Sequence, residues 1–285
     1  MGSPNKTRDH SNRESALKYD PVKNIIGSVV RTLPWTRVMF YKLLGLVFLR
    51  EWYVKRELRK HLGNRATPTH VYDAGSGFGQ YSYFIATHFP YASVSAVDVK
   101  EEQIDDCRKF FAVRGLQHCT FAVEDLTVIT HRERFDFILS VDVMEHIPDD
   151  VLVFKNFFRA LKQGGLLFIN TPSNLGGSDA ASAEDPSFIE EHARNGYGAE
   201  EIRTKLESAG FSVEMIRYTY GAWGSRYWRL ALKYPMLMLN VSKLFFLMLP
   251  FYYCIALPIF LPMMWLDYVA ENKSGTGLNV LARKK

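Results

Sequence analysis

The run Val71-Tyr72-Asp73-Ala74-Gly75-Ser76-Gly77-Phe78-Gly79 narrows the choice of fold more than any other stretch of this chain. An apolar strand ends on a carboxylate, passes through three glycines and enters a helical stretch. Glycine allows positive φ and lets the backbone approach a ligand closely, while the helix that follows presents free N–H groups to a polar or anionic ligand part. Asp98 ends the next strand, 19 residues after Gly79, where a carboxylate can accept hydrogen bonds from both hydroxyls of a ribose. The same two features open dinucleotide-binding folds. The spacing here is G-x-G-x-G, however, with Gln80 where a dinucleotide fingerprint places its third glycine. Asp73 would repel a pyrophosphate and suits a cationic amino group.

From Thr69 onward, short apolar runs alternate with helical stretches, which predicts βα units and a largely parallel sheet. The expected strands are His70–Ala74, Ser93–Asp98, Cys119–Val123, Phe135–Ser140, Leu166–Asn170, Phe211–Tyr218 and Leu278–Lys284. Helices are expected around Tyr81–His88, Glu102–Arg114, Asp150–Leu161 and Ala199–Ala209. The segment boundaries that follow are a disordered tail over 1–15, a basic helical arm over 16–64, a core over 65–220, an apolar helical insertion over 221–275 and a last strand over 276–285.

Charge is divided unevenly among these segments. Residues 1–64 hold 13 Lys and Arg against 5 Asp and Glu, residues 65–216 hold 13 against 23, and residues 217–285 hold 9 against 2. Two basic ends around an acidic middle suggest an anionic partner, either a membrane leaflet or nucleic acid. Residues 35–60 interleave Trp35, Phe40, Phe48, Trp52 and Tyr53 with seven Lys and Arg, predicting one or two amphipathic helices that either lie in a bilayer interface or pack on the sheet. Leu244–Leu266 contains no charged residue. Its length would span a bilayer, yet Pro250, Pro258 and Pro262 should break or kink a single helix. Pairing of the strands on either side requires the segment to leave and return on one side, as a hairpin or in-plane pair. A buried cap or a dimer interface is the alternative. Three cysteines without a CxxC pair give no disulfide framework or zinc site, and the polar first fifteen residues read as no secretory signal, so a cytoplasmic setting is expected.

Taken together, Asp73–Gly79, Asp98, Glu124-Asp125-Leu126 and Phe135–Pro148 (FDFILSVDVMEHIP) resemble the class I S-adenosylmethionine-dependent methyltransferases in order and spacing, over residues 65–220 plus the last strand. The resemblance implies a Rossmann-like α/β fold whose seven-stranded sheet is mostly parallel with an antiparallel last strand, and S-adenosyl-L-methionine as cofactor. By the same resemblance Asp73, Gly75, Ser76, Gly77 and Gly79 would hold the methionine moiety, Asp98 and Val99 the ribose, and Glu124, Asp125 and Leu126 the adenine. Phe121 or Leu126 would flank the adenine ring or belong to the core, and Val141 would line the site. Val143–Ile147 also looks like a segment of quinone-biosynthesis O-methyltransferases, in some of which an acid-x-x-Glu-His pattern is associated with a divalent cation. Asp142, Glu145 and His146 match that pattern, but three residues on one turn are as well placed to bind backbone, and no metal is assigned.

Glu145, His146, His192 and Tyr197 are the candidate catalytic residues, with Arg194 a candidate for an anionic head group. Methyl transfer from a sulfonium needs an aligned nucleophile above all, and a base only where that nucleophile is a hydroxyl. The leading expectation is a methyltransferase for a hydrophobic, lipid-like small molecule at an anionic membrane surface, peripheral or re-entrant at its cytoplasmic face. A soluble enzyme whose insertion forms a lid or dimer interface, and a non-catalytic membrane-anchored cofactor-binding protein, are the alternatives. No target-base motif points to nucleic acid, and the oligomeric state stays open.

Overall fold

The computed structural model describes residues 34–63, 67–176, 193–242 and 244–285. The expected tail over 1–15, the start of the arm and His192 lie outside the described residues. Seven strands form one sheet: β1 (Thr69–Ala74), β2 (Ala92–Asp98), β3 (Cys119–Val123), β4 (Phe135–Val141), β5 (Leu161–Pro172), β6 (Phe211–Thr219) and β7 (Gly277–Lys284). Their order is β3-β2-β1-β4-β5-β7-β6. β7 runs antiparallel to both β5 and β6, and the other strand pairs are parallel. The strand order reverses between β1 and β4, so the carboxyl edge there is the crevice in which open α/β sheets bind ligands.

Helices cover both faces. On one lie α1 (Pro34–Val47), α2 (Leu49–Leu62), α3 (Gln80–His88) and α4 (Glu101–Val113); on the other lie α5 (Asp150–Ala160) and α6 (Ala199–Ser208). Val71, Val94, Phe137 and Phe168 point to the first layer, while Tyr72, Val97, Ile138 and Ile169 point to the second, the alternation that a sheet buried on both sides requires. α2 packs on the sheet layer through Val54, Leu58 and Leu62, so half of the basic arm is a core helix rather than an interfacial one. α1 is different: Trp35, Met39, Leu43 and Leu46, spaced at helical intervals, remain exposed.

The insertion between β6 and β7 consists of α7 (Ala222–Trp228), a π-helical turn (Arg229–Lys233), α8 (Tyr234–Val241) and α9 (Phe245–Val269). Because β6 is parallel to β5, its end at Thr219 and the start of β7 at Gly277 both lie on the carboxyl edge. The insertion therefore leaves and returns beside the ligand crevice. Its two limbs are zipped together where the Tyr252 and Tyr253 hydroxyls donate to the carbonyls of Leu230 and Ala231 at 2.7 and 2.6 Å. Contrary to the sequence expectation, α9 runs as one 25-residue helix through Pro250, Pro258 and Pro262. Each proline removes one intrahelical bond, and spacings of eight and four residues leave the intervening turns intact. The π-helical turn sits just ahead of Pro235 and lets the helix continue through the residue that lacks an N–H.

Candidate active site

The glycine turn is built as the sequence demands. Gly75 and Ser76 both donate to the Val97 carbonyl at 2.9 and 2.8 Å, tying the turn to β2, and Gly79 donates to the Ser76 carbonyl at 2.8 Å. Gly75 has φ +81°, and a Cβ there would lie 2.2 Å from Val143 Cγ2 on the neighbouring segment after β4. Gly77 also has positive φ, but a Cβ there would meet nothing within 4 Å, so the space above the turn is open. Ser76 Oγ is buried with no hydrogen-bond partner. A cradle of bare backbone with an orphaned hydroxyl fits the polar end of a ligand.

Two carboxylates frame this cradle. Asp73 is buried and accepts a 2.6 Å hydrogen bond from the Ser82 hydroxyl. Burial pushes its carboxyl up to about 6, against the opposing pull of Ser82. Asp98 accepts from the backbone N–H of Gly77 and of Lys100, both at 3.0 Å, closing the turn from the β2 side. Val99, beside it, is exposed. Further along the edge, Asp125 accepts from the Thr127 N–H and hydroxyl, each at 2.8 Å. Glu124 instead bonds the Tyr72 hydroxyl at 2.8 Å and lies 3.0 Å from His131 Nε2, so its side chain ties β1 to the loop after β3. Phe121 and Leu126 are buried in the two core layers, and Val141 packs against the first.

The segment after β4 closes the other side. Asp142 takes a positive φ of 50°. Glu145 is buried, accepts from the Thr171 hydroxyl at 3.0 Å and is pushed up by burial. Its backbone carbonyl accepts from the Ala193 N–H at 2.9 Å, which draws the segment around residue 193 over β4 and β5. His146 occupies the same short 3-10 turn (Met144–His146). Among the described residues no group of three His, Cys, Asp or Glu side chains is placed to hold a metal ion.

Two sequence candidates have different surroundings from those expected. Tyr197 is fully buried, and its hydroxyl donates to Asp150 at 2.8 Å and the Met144 carbonyl at 3.1 Å. Burial and the Asp150 carboxylate push the phenol well up, and Tyr197 stands under the Met144–His146 turn. Arg194 spends its guanidinium on Asp150 and on the Ile147 and Pro148 carbonyls. Lys205 joins them at 2.8 Å. Burial of Asp150 opposes ionisation, but hydrogen bonds from Lys205 and Tyr197 and the Arg194 charge outweigh it and hold the carboxyl below the usual range. That network occupies both terminal nitrogens of Arg194 and leaves only its buried Nε without a partner.

Sequence reasoning missed a second cluster. Arg50, at the start of α2, pairs with Asp142, and its backbone N–H donates to the Tyr220 hydroxyl at 2.9 Å. Tyr81 and Glu51 complete the group. The only signal in the sequence was Arg50 itself, one of seven basic residues in the arm. Arg37 is equally unheralded: it is buried, donates to the Phe78 carbonyl at 2.7 Å, and pairs with Asp106 at 2.8 Å, clasping α1 to the glycine turn.

Residues 67–210 match the family model described as a methyltransferase domain, half of the chain. The chain belongs to the methyltransferase-domain family. As a methyltransferase-fold protein it is 34% identical over 103 residues to a ubiquinone biosynthesis O-methyltransferase of Coxiella burnetii, an overlap of 36% of this chain and 43% of that one. It is 30% identical over 147 residues to phosphoethanolamine N-methyltransferase 1 of Zea mays, covering 50% of this chain and 28% of the relative. The chain thus spans less than half the length of these curated relatives. Among solved structures, a sarcosine dimethylglycine methyltransferase so named from Galdieria sulphuraria superposes with TM-score 0.60 at 19% identity, over 83% of this chain and 85% of the other. Phosphoethanolamine N-methyltransferase 2 of Haemonchus contortus, solved with S-adenosyl-L-methionine, superposes with TM-score 0.57 at 21% identity, over 82% and 52%. The solved structures share the Rossmann-like methyltransferase fold with its antiparallel last strand, and the cofactor of the family is S-adenosylmethionine.

Proposed function

We propose that this protein transfers a methyl group from S-adenosylmethionine to a hydrophobic, lipid-like acceptor at an anionic membrane surface, on the cytoplasmic side. The observation that carries the reading is the placement of the apolar hairpin, which rises from the same sheet edge as the glycine cradle. Phe251 and Ile255 on α9 are 67% and 75% exposed, and only 11% of the helix's most apolar window is buried. Such an apolar surface is costly in water and favourable in lipid, at about 25 cal/mol per Å² transferred. Arg226, Arg229 and Lys233 lie on the hairpin's first limb, ahead of the uncharged stretch over 234–242, at a level suited to anionic head groups.

The cofactor supplies an activated methyl group. In this reading Asp73, the Gly75–Gly79 backbone and Ser76 hold its methionine end, Asp98 its ribose and Asp125 its adenine. Glu124, Val99 and Leu126 contribute framing rather than hydrogen bonds from their side chains. The acceptor occupies the opposite side, over β4 and β5, where alignment and exclusion of water do most of the work. For a hydroxyl acceptor, Glu145, His146 or His192 takes the proton; an amine acceptor needs its neutral lone pair.

Incubation with methyl-labelled cofactor and fractionated membrane lipids tests the whole reading, with label expected in one apolar product. Absence of any heat with S-adenosylhomocysteine would sink the cofactor assignment. Failure to float with vesicles of phosphatidylcholine and phosphatidylserine, together with a discrete dimer in detergent-free buffer, would replace the membrane by a second copy of the chain.

A further inference from the structure

The Arg50 cluster lies where four elements meet: the start of α2, the first turn of α3 at Tyr81, the end of β4 at Asp142, and the end of β6 at Tyr220. Asp98, at the end of β2, and Asp125, two residues past β3, lie on one side of the glycine turn. The cluster occupies the other side, at the foot of the hairpin.

Packing does not explain the Arg50–Asp142 pair. α2 is already fixed by Tyr53, Val54 and Leu58, all fully buried, and the Tyr220 hydroxyl caps the orphan N–H of Arg50. The pair itself is partly open, with side chains 26% and 36% exposed, and such pairs contribute little to stability. Asp142 itself takes a positive φ of 50°, a conformation that non-glycine residues adopt at a cost and that gathers at ligand sites. Arg50 also keeps Nε buried without a hydrogen-bond acceptor, and Ser140 Oγ, just before on β4, is buried and unbonded as well. Asp142 meets the guanidinium through Oδ2, and its side chain is 36% exposed, within reach of a donor from the solvent side. A cation with a spare N–H beside a carboxylate open to solvent forms a fork that reads a hydrogen-bond acceptor and a donor placed side by side.

We propose that Arg50 and Asp142 form the polar subsite for the methyl acceptor, and that they select a head group in which an acceptor oxygen neighbours a hydroxyl or amine. This rests on the methyltransferase reading. The apolar remainder of such a molecule would run along the foot of the hairpin, past Tyr220. The N-terminal arm thereby supplies part of the acceptor site.

The test uses the full chain, methyl-labelled cofactor and a total membrane lipid extract, with S-adenosylhomocysteine calorimetry and a thermal midpoint for every variant. Arg50→Gln and Asp142→Asn are expected to lower label transfer roughly tenfold to a hundredfold, the worth of hydrogen bonds to charged groups, while S-adenosylhomocysteine affinity stays unchanged. The charge-exchanged double variant Arg50→Asp/Asp142→Arg separates a subsite from a mere clasp. It is expected to keep a thermal midpoint close to wild type, as the single variants do, and still not to recover transfer, because the fork then faces the acceptor with its polarity reversed. Recovery of transfer in the double variant, or undiminished transfer in either single variant, overturns the proposal. A wild type that binds S-adenosylhomocysteine yet labels nothing in the extract also overturns it. One that does not bind S-adenosylhomocysteine overturns instead the methyltransferase reading beneath it.

Discussion

The sheet core and the layer formed by the arm and hairpin share one edge of the molecule but are held there by different physics. In the core, hydrophobic side chains alternate on two faces and bury almost completely, with loop geometry fixed by backbone hydrogen bonds. In the added layer a small cluster around Leu49, Tyr53, Tyr227 and Phe260 does the packing, and much of α1 and α9 stays bare. Precision lies with the core and adaptability with the layer. A site that must hold a soluble cofactor in one pose, yet admit an acceptor from elsewhere, gains from that division.

The most severe way to break the comparison is to damage the core at its tightest point. Gly75→Ala forces a Cβ against Val143 at a φ of +81°. S-adenosylhomocysteine affinity is expected to fall by on the order of a hundredfold, because backbone strain and a displaced turn both act on the cradle. Calorimetry checks it; affinity within threefold of wild type would mean the turn has slack that the structure does not show. The layer should respond differently. Asp267 is its buried fastening, accepting from the Tyr53 hydroxyl at 2.6 Å and the Gly224 N–H at 2.9 Å. Asp267→Ala strands the Gly224 N–H and leaves the Tyr53 hydroxyl only the Asp267 backbone carbonyl at 2.7 Å, costing about 2 kcal/mol in denaturant unfolding and opening the hairpin to protease, with cofactor affinity preserved. Loss of cofactor binding in that variant would show that the two regions are not separable.

The same division governs what could be read from the sequence. Every strand and every helix of the core follows from period and punctuation, because both layers impose their alternation on the residues; Cys119–Val123 matches residue for residue. The β5 strand extends at both ends beyond the expected Leu166–Asn170, to Leu161–Pro172: Leu161 pairs with Phe135 across an irregularity that holds the glycines at 164 and 165, and Thr171 and Pro172 pair with β7. In the layer, composition announced apolar and basic helices without saying which faces would be covered. α2 turned inward and α1 only partly so, a choice made by tertiary packing. The roles of Tyr197 and Arg194 were illegible for a related reason: Asp150, 47 and 44 residues away in the chain, claims both. Arg50 and Arg37 were hidden among other cations, distinguished only by the partners that folding brings to them.

Asp73 gives a test of intermediate size on the core side. Burial raises its carboxyl to about 6, above the ordinary carboxylate value, so the folded protein binds a proton more tightly there than the unfolded chain. Without ligand, the resulting stability is complete below the ordinary range and is lost as pH rises through about 6. A cationic ligand reverses the preference, since it favours the ionised carboxylate. S-adenosylhomocysteine is therefore expected to bind about tenfold more weakly near pH 5 than near pH 7.5, and Asp73→Asn should flatten that dependence. A flat profile in the wild type would mean that Asp73 does not face the ligand's amino group.

The smallest expected effect bears on Tyr197, where the two ways of reading one residue diverge most. As a general base or acid, Tyr197 would matter by roughly a hundredfold to ten-thousandfold in rate. As a pillar, it contributes two hydrogen bonds beneath the Met144–His146 turn, and Asp150 retains Arg194 and Lys205 when the hydroxyl is removed. Tyr197→Phe keeps the buried ring and its place beneath the Arg194 guanidinium, 4.8 Å away. The expected cost is about 1 kcal/mol of stability, with kcat changed less than about threefold. Methyl transfer measured beside thermal unfolding decides it, because a proton-transfer role would depress the rate far more than the stability and would bend the pH profile. A pillar leaves that profile unchanged and yields its function only through the turn it supports, which places Tyr197 with the core's precision rather than the acceptor's chemistry.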